Sequence, residues 1–245
     1  MAAPAPDAPA PRMLELQGVC AAYGAARILF DVALHVDPGE VVCLLGRNGA
    51  GKSTTLKTIM GLLPPAAGVI RLDGTRIDRL APYRIARAGL GYVPEDRRIF
   101  TDLTVRENLD VGRQAGRPGA PAWSIDRLVA LFPNLADLHD RPAGRISGGE
   151  QQMLTIARTL MGNPRMILLD EPSEGLAPVI VELLARAIVT LKAEGLTVLL
   201  SEQNLHFARM VGDRAYIIEK GHIRYEGTMA ELAADESART RYLAV

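Results

Sequence analysis

Residues 46–54 read Gly46-Arg47-Asn48-Gly49-Ala50-Gly51-Lys52-Ser53-Thr54. The stretch 46–53 has the spacing G-x-x-x-x-G-K-S, which is typical of a loop that binds nucleotide phosphates. Glycines at positions 49 and 51 let backbone N–H groups approach an anion closely, because no Cβ atom stands in the way. Lys52 is expected to reach the β and γ phosphates, and the Ser53 hydroxyl is expected to bind Mg²⁺. We therefore predict that residues 46–54 form a nucleotide-binding loop.

The residues around this loop predict a strand before it and a helix after it. Residues 41–45 are an uninterrupted apolar run, as in a strand that is buried on both faces. After the loop, apolar residues recur at helical spacing: Leu56, Ile59, Met60 and Leu63. Such a strand–loop–helix unit directs the positive end of the helix dipole at the bound phosphate.

Length and composition limit the class of protein. The chain has 245 residues, of which 48% are apolar, and its 28 basic residues balance 28 acidic ones. This length predicts one domain with inserted subdomains, and the neutral charge argues against a nucleic-acid binder. No apolar run approaches the roughly 18 residues that span a bilayer, and residues 1–12 lack the apolar core of a signal peptide. We therefore expect a soluble, cytoplasmic chain.

The N-terminal region is predicted to be a disordered tail followed by two antiparallel strands. Prolines at positions 4, 6, 9 and 11 disfavour both helix and strand in residues 1–12. Alternating apolar residues over 14–19 and 32–36 predict two half-buried strands. Between them, Tyr23 is a candidate for stacking on a purine ring, and packing within a strand is the alternative. Cys20 and Cys43 lie in apolar stretches, where small buried thiols are favoured over a disulfide or a metal site.

A second motif, at residues 147–152, reads Ser-Gly-Gly-Glu-Gln-Gln. Ser147 and Glu150 have the spacing of a capping box at the start of a helix. Gly148 and Gly149, directly behind the cap, each weaken a helix by up to about 1 kcal/mol relative to Ala. A structural function alone does not account for these glycines. We therefore predict a second helix N-terminus that faces an anion.

A third motif, at residues 166–171, reads Met-Ile-Leu-Leu-Asp-Glu. The apolar run indicates a central parallel strand, and open α/β sheets bind their ligands at the carboxyl ends of such strands. An isolated Asp-Glu pair is usually part of a solvated loop. After a buried strand, in a chain that has a phosphate loop, we assign Asp170 to Mg²⁺ and Glu171 to the attacking water.

In this order the motifs resemble the nucleotide-binding subunit of an ABC transporter, from about Leu14 to the end of the chain. More narrowly, three segments resemble the LivF-type ATPase of high-affinity branched-chain amino acid importers: Val93-Pro94-Glu95, Glu171-Pro172-Ser173-Glu174-Gly175-Leu176-Ala177-Pro178 and Ser201-Glu202-Gln203-Asn204. The resemblance implies an α/β P-loop NTPase with a RecA-like core, an N-terminal antiparallel β subdomain and an inserted α-helical subdomain. It places this ABC ATPase domain at residues 13–245 and the helical subdomain at about 96–150.

The resemblance also implies functions for single residues. Tyr23 would stack on adenine, Glu95 would lie in the loop that links Mg²⁺ to the transmembrane partner, and Gln203 would lie near the γ-phosphate. Glu95, Gln203 and Ala177 stand where the general ABC pattern has Gln, His and Asp. Glu95 adds negative charge near Mg²⁺, and Gln203 cannot gain a proton as histidine can. The expected catalytic residues are Lys52, Glu171 and Gln203, and we expect Gln203 to act by positioning rather than by proton transfer.

By the same resemblance, two ATPase subunits share each active site. Ser147, Gly148 and Gly149 would close over the γ-phosphate of a nucleotide that the partner subunit holds. The partner would be a second copy or a different ATPase subunit. The absence of Asp at position 177 weakens one contact between the two subunits that the general pattern implies.

The expected function is ATP hydrolysis, with Mg²⁺, that energises uptake of branched-chain amino acids. Its expected partners are a second ATPase subunit, two transmembrane permease subunits and, indirectly, a periplasmic or extracellular solute-binding protein. The chain would lie on the inner face of the cell membrane and bind no nucleic acid. Three alternatives are an importer of urea or short amides, a non-transport ABC ATPase, and a nucleotide-binding module without turnover. Neutral charge argues against the second alternative, and Glu171 argues against the third.

Overall fold

The computed structural model describes residues 12–243, so the predicted tail lies, except for Arg12, outside the described residues. The strands are β1 (Leu14–Tyr23), β2 (Ala26–Val36), β3 (Val41–Leu45), β4 (Ala67–Leu72), β5 (Thr75–Arg76), β6 (Leu90–Val93), β7 (Met166–Asp170), β8 (Thr197–Glu202), β9 (Arg214–Glu219) and β10 (His222–Thr228). The helices are α1 (Lys52–Ile59), α2 (Pro82–Arg87), α3 (Val105–Gly112), α4 (Ile125–Leu131), α5 (Gly148–Leu160), α6 (Pro178–Ala193), α7 (Leu205–Val211), α8 (Met229–Ala234) and α9 (Glu236–Ala238).

These strands form two sheets. One is a four-stranded antiparallel sheet in the order β2-β1-β4-β5, and the other has six strands in the order β10-β9-β3-β8-β7-β6. In the larger sheet, β3 runs parallel to β8 and β9, while β7 runs parallel to β6 and β8. Their carboxyl ends therefore meet at one edge, which carries both the phosphate loop and the Asp170–Glu171 pair.

Strand β3 is buried on both faces, as its apolar run predicts. Val42 and Leu44 pack into the core that the six-stranded sheet shares with the antiparallel sheet. Val41, Cys43 and Leu45 point the other way, into the core beneath the helices. This alternation follows from the period of two along a strand. Burial on both faces fixes the position of β3, and therefore the position of the phosphate loop that follows it.

The predicted antiparallel pair at the N-terminus is confirmed. Leu14 lies opposite Val36 and Val19 lies opposite Val32 across β1 and β2, and all four side chains are fully buried. Cys20 and Cys43 are both buried, as predicted.

Residues 96–150, predicted as the helical subdomain, hold α3, α4, two 3-10 helices and the start of α5, and they contribute no strand. Leu109, Leu128 and Phe132 from this region are fully buried and join the same core as Met153 and Leu154 of α5. No helix within residues 12–243 combines the length and the apolar content needed to cross a bilayer.

Candidate functional site

The loop between β3 and α1 depends on glycine for its path. Gly51, the N-cap of α1, has a φ of 113°, a backbone conformation that residues with a Cβ atom rarely adopt. Glycine also has no side chain that could cap the helix at this position. The first N–H groups of α1 therefore stay available to a ligand. At the start of the loop, a Cβ on Gly46 would lie 2.5 Å from the backbone oxygen of Ile218, so β9 lies directly against the loop.

Lys52 folds back over the loop that precedes it. Its Nζ donates to the carbonyl oxygens of Gly46 at 2.7 Å and Arg47 at 3.1 Å. The same ammonium lies 3.1 Å from Oε1 of Glu171, and the two side chains are only 3% and 6% exposed. The structure thus brings together two side chains that sequence patterns assign to phosphate binding and to the attacking water.

Asp170, the last residue of β7, is the centre of a hydrogen-bond cluster at the sheet edge. Its Oδ1 accepts from Ser53 Oγ at 2.9 Å and from Ser201 Oγ at 2.7 Å. Its Oδ2 accepts from the Tyr92 hydroxyl at 3.2 Å. Burial, and then the neighbouring Asp170 carboxylate, raise the pKa of Tyr92 well above its ordinary value, so this hydroxyl stays a donor. The hydroxyl and carboxylate oxygens of Ser53 and Asp170 are ligands that Mg²⁺ prefers, and they lie side by side.

Glu171 adopts an unusual backbone conformation. Its φ is 45°, in the left-handed region that costs a non-glycine residue about 1–3 kcal/mol. The strained turn is held from β8, because the Glu171 N–H donates to both the carbonyl oxygen and the hydroxyl of Ser201, each at 3.1 Å. Its Oε2 is buried and accepts no hydrogen bond from any residue that the structure describes. A buried carboxylate oxygen of this kind is a free acceptor inside the site.

Gln203 follows β8 directly, and its side chain is exposed. It lines a cavity of about 460 Å³ together with Ser173 and Glu174 from the loop after β7. The amide of Gln203 therefore shares a cavity with residues that follow Glu171. Asn204, the next residue, caps α7 by accepting from the Phe207 N–H.

Two predicted site residues lie on the surface. Glu95 lies near this edge of the sheet, and Tyr23 is the last residue of β1. Glu95 is exposed and lines a cavity of about 210 Å³ with Tyr92 and Asp170, which places it beside the candidate metal ligands. Tyr23 is 48% exposed. Its ring is therefore not a core packing group.

The predicted capping box at the start of α5 is confirmed, since Ser147 Oγ accepts from the Glu150 N–H and Glu150 Oε2 accepts from the Ser147 N–H. The expectation that no structural function accounts for these glycines is wrong for Gly149. A Cβ on Gly149 would lie 3.0 Å from Cγ2 of Ile180 in α6, and a Cβ on Gly148 would lie 2.9 Å from Nη1 of Arg97. Packing against Ile180 therefore gives Gly149 a structural reason, whereas the guanidinium of Arg97 is the movable end of a long side chain and gives Gly148 none. The anion-binding function of Ser147, Gly148 and Gly149 stays a prediction.

Sequence patterns did not single out three side chains at the sheet edge. These are Tyr92 and Ser201, which donate to Asp170, and the buried carboxylate of Glu202. A signal was present for two of them, because Ser201-Glu202 follows a buried apolar run just as Asp170-Glu171 does. Tyr92 gave no such signal, since a tyrosine in a strand is ordinarily a packing residue.

Comparisons with known proteins identify the family. Residues 29–174 match the family described as ABC transporter. The chain is 43% identical over 231 residues to the Pseudomonas aeruginosa "High-affinity branched-chain amino acid transport ATP-binding protein BraG", which covers 94% of this chain and 99% of that one. It is 38% identical over 232 residues to the Escherichia coli "Lipopolysaccharide export system ATP-binding protein LptB", covering 94% and 96% of the two chains.

Solved structures agree with this assignment. A nucleotide-free ATP-binding cassette from an ABC transporter superposes with a TM-score of 0.79 at 26% identity, covering 92% of this chain and 96% of that one. A second cassette, in its ADP conformation, gives 0.78 at 27% identity with the same coverage. The predicted α/β P-loop fold and the predicted ATPase class are confirmed. The chain belongs to the ABC transporter family and is one of its ATP-hydrolysing subunits.

Proposed function

We propose that this chain energises the import of branched-chain amino acids. Two observations support that substrate class: the LivF-type segments around Glu95, Glu171 and Gln203, and the similarity to BraG over nearly the whole length of both chains. A "Probable branched-chain amino acid transport ATP-binding protein LivF" from Archaeoglobus fulgidus, 36% identical over 225 residues, adds to this support. The similarity to LptB makes lipopolysaccharide export a second candidate function, and import of urea or short amides is a third.

In the proposed mechanism, residues 46–54 bind the phosphates of ATP and Tyr23 stacks on the adenine. Lys52 leaves the carbonyl oxygens of Gly46 and Arg47 to contact the β and γ phosphates. The free N–H groups at the start of α1 add further donors. This step separates Lys52 from Glu171 and releases the carboxylate for its own function.

Ser53 and Asp170 would hold Mg²⁺ in this proposal, with Glu95 close enough to alter the affinity for the metal. Their oxygens are 2.9 Å apart in the structure, and both are hard ligands suited to this cation. Bound there, Mg²⁺ would neutralise charge on the β and γ phosphates. Tyr92 and Ser201 orient Asp170 by donating to its two oxygens.

The observation that carries the catalytic assignment is the buried Oε2 of Glu171, which has no hydrogen-bond partner among residues 12–243. An acceptor held there by the Ser201 contacts can take a hydrogen bond from the attacking water and polarise it. Gln203, from the neighbouring loop, would orient the γ-phosphate or that water. Ser147, Gly148 and Gly149 would complete the site of a second ATPase subunit.

An apolar groove supports the proposed permease partners. Four large apolar side chains that are about half exposed line one groove of about 590 Å³: Leu62, Tyr83, Phe100 and Val111. The groove lies between α2, β6 and the helical region, and exposed apolar clusters of this kind mark protein–protein contacts. We therefore place a transmembrane subunit in this groove, with the chain on the inner face of the cell membrane and a solute-binding protein as an indirect partner.

The test is a transport assay on the native complex. The chain is purified from its own membranes, the proteins that accompany it are identified, and the complex is reconstituted in liposomes. We expect ATP-driven uptake of labelled leucine, and a turnover loss on the order of 10² or more in the matched Glu171→Gln complex. Uptake of urea without leucine, or release of lipopolysaccharide, would assign one of the other candidate functions.

A further inference from the structure

Glu202 is a buried carboxylate at the junction of three loops. It is the last residue of β8 and is only 1% exposed. Because β8 lies between β3 and β7, the end of β8 separates the phosphate loop from the loop that carries Glu171. Gln203 begins a third loop immediately after it.

Glu202 bonds to each of these loops. Its carbonyl oxygen accepts from the Gly46 N–H at 3.2 Å, at the start of the phosphate loop. Its Oε1 accepts from the Ser173 N–H at 3.1 Å, two residues after Glu171. Its Oε2 accepts from the N–H groups of Gln203 at 3.2 Å and Asn204 at 3.1 Å.

The carboxylate accepts from three backbone N–H groups, and its further neighbour is the Ser173 side chain. No lysine or arginine within residues 12–243 forms an ion pair with it. Burial accordingly raises the pKa of Glu202, while hydrogen bonds from Ser173 and Asn204 oppose that shift. An ionised carboxylate accepts on both oxygens, whereas a glutamine would turn an NH₂ donor towards one set of N–H donors. The contacts therefore require glutamate in particular, and a generic polar residue would not satisfy them.

We propose that Glu202 is a positioning residue that holds the Glu171 loop and Gln203 in register with the phosphate loop. The inference rests on the functions proposed above for Glu171 and Gln203. Ser201 fixes the backbone N–H of Glu171, and Glu202 fixes the chain two residues later, so the strained turn at Glu171 is held from β8 at two points. Glu202 thereby sets the direction in which Glu171 presents its carboxylate, without touching the nucleotide.

The test measures ATPase activity of the full complex purified from native membranes. Glu202→Gln is expected to lower kcat by roughly tenfold to a hundredfold, because small misplacements of reacting groups have effects of this size. KM for ATP should stay within about threefold, since the phosphate loop is bonded to the backbone of Glu202 and keeps that bond. A wild-type kcat, or a rise in KM that accounts for the whole loss, would overturn the proposal.

The control variant is Glu40→Gln. Glu40 is also a shielded carboxylate that accepts from a backbone N–H, that of Asp37, and it pairs with Arg214. It lies before β3, at the opposite end of the sheet from the site. We expect unchanged kcat for Glu40→Gln, and thermal unfolding of both variants shows whether a loss of folded protein explains any difference.

A combined variant separates positioning from general damage. If Glu202 acts through Glu171 and Gln203, then adding Glu202→Gln to a Glu171→Gln, Gln203→Ala background should not slow turnover any further. A further fall in turnover on adding Glu202→Gln would show that Glu202 acts independently of these residues, and it would refute the inference. Wild-type turnover in Glu171→Gln itself would instead refute the function proposed for Glu171, and the inference with it.

A second variant covers the case in which Glu202→Gln does not fold. Glu202→Asp keeps the charge but is one methylene too short to bond Ser173 and Gln203 together. A folded Glu202→Asp complex with reduced kcat and unchanged KM supports the proposal. A folded Glu202→Asp complex with wild-type kcat overturns it.

Discussion

The buried ion pair between Lys52 and Glu171 predicts that these two residues stabilise the nucleotide-free chain together. Nζ lies 3.1 Å from Oε1, and the side chains are 3% and 6% exposed. At this distance the Coulomb attraction is about 5 kcal/mol for an effective dielectric constant of about 20. Removing one partner of a buried pair leaves the other charge unpaired, and such changes cost about 3–5 kcal/mol. We therefore expect Lys52→Ala to lower the free energy of unfolding by about 3–5 kcal/mol.

The same substitution should be much milder when Glu171 carries no charge. In a Glu171→Gln background, Lys52→Ala removes packing and the hydrogen bonds to the carbonyl oxygens of Gly46 and Arg47. Net losses of this kind are about 1–2 kcal/mol. The two substitutions are thus expected to show a coupling energy of about 1–4 kcal/mol.

The assay is urea unfolding of the four variants of this cycle at pH 7, without nucleotide and with EDTA. Equal slopes with denaturant concentration are needed for the comparison, because they show that each transition exposes the same surface. Lys57→Ala is the matched control, since Lys57 lies on the same helix and makes no ion pair with Glu171 in the described structure. A Lys52–Glu171 coupling below about 0.5 kcal/mol would refute the reasoning.

Three further predictions concern other residues of the site and core. Glu95→Gln should shift the Mg²⁺ concentration that half-saturates ATPase activity, and an unmoved midpoint would leave Glu95 without a function at the metal. Gly149→Ala should lower the midpoint of thermal unfolding because the added Cβ presses α5 against Ile180 of α6, and a second substitution, Ile180→Ala, should restore that midpoint. Gly149→Asp combined with Ile180→Ala should still fail to pair with a second ATPase subunit in the presence of ATP, as measured by gel filtration. Burial raises the pKa of Cys43 far above its ordinary value, so alkylation at about pH 8.5 should require unfolding, and rapid labelling of the folded chain would contradict this.

Local sequence patterns predicted the elements that build the site. The apolar run of β3, the glycines before α1 and the capping box at Ser147 each depend on residues within a few positions of one another. Local hydrogen bonding and burial decide such features, so their positions could be predicted from neighbouring residues. The sequence also assigned Ser53 and Asp170 to the same Mg²⁺, and the structure brings them together because parallel strands end at one edge of a sheet.

Contacts between distant segments were not predictable in the same way. The position of β8 between β3 and β7 depends on how the whole sheet assembles, and it is what brings Ser201 and Glu202 to the site. Those same contacts also hold Glu171 at its left-handed φ, because glutamate has no local preference for that conformation. The glycine at position 149 was misinterpreted for the same reason, since its neighbour Ile180 lies in another helix.

The position of Tyr92 has a thermodynamic consequence. Its ring forms part of the wall of the apolar groove, while its hydroxyl donates to the carboxylate proposed to hold Mg²⁺. A protein that displaces this ring on entering the groove would change the affinity of the chain for the metal. Linkage is reciprocal, so the metal would change the affinity for that protein by the same factor. A single side chain, that of Tyr92, would then couple the binding of the proposed membrane subunit to the binding of the metal.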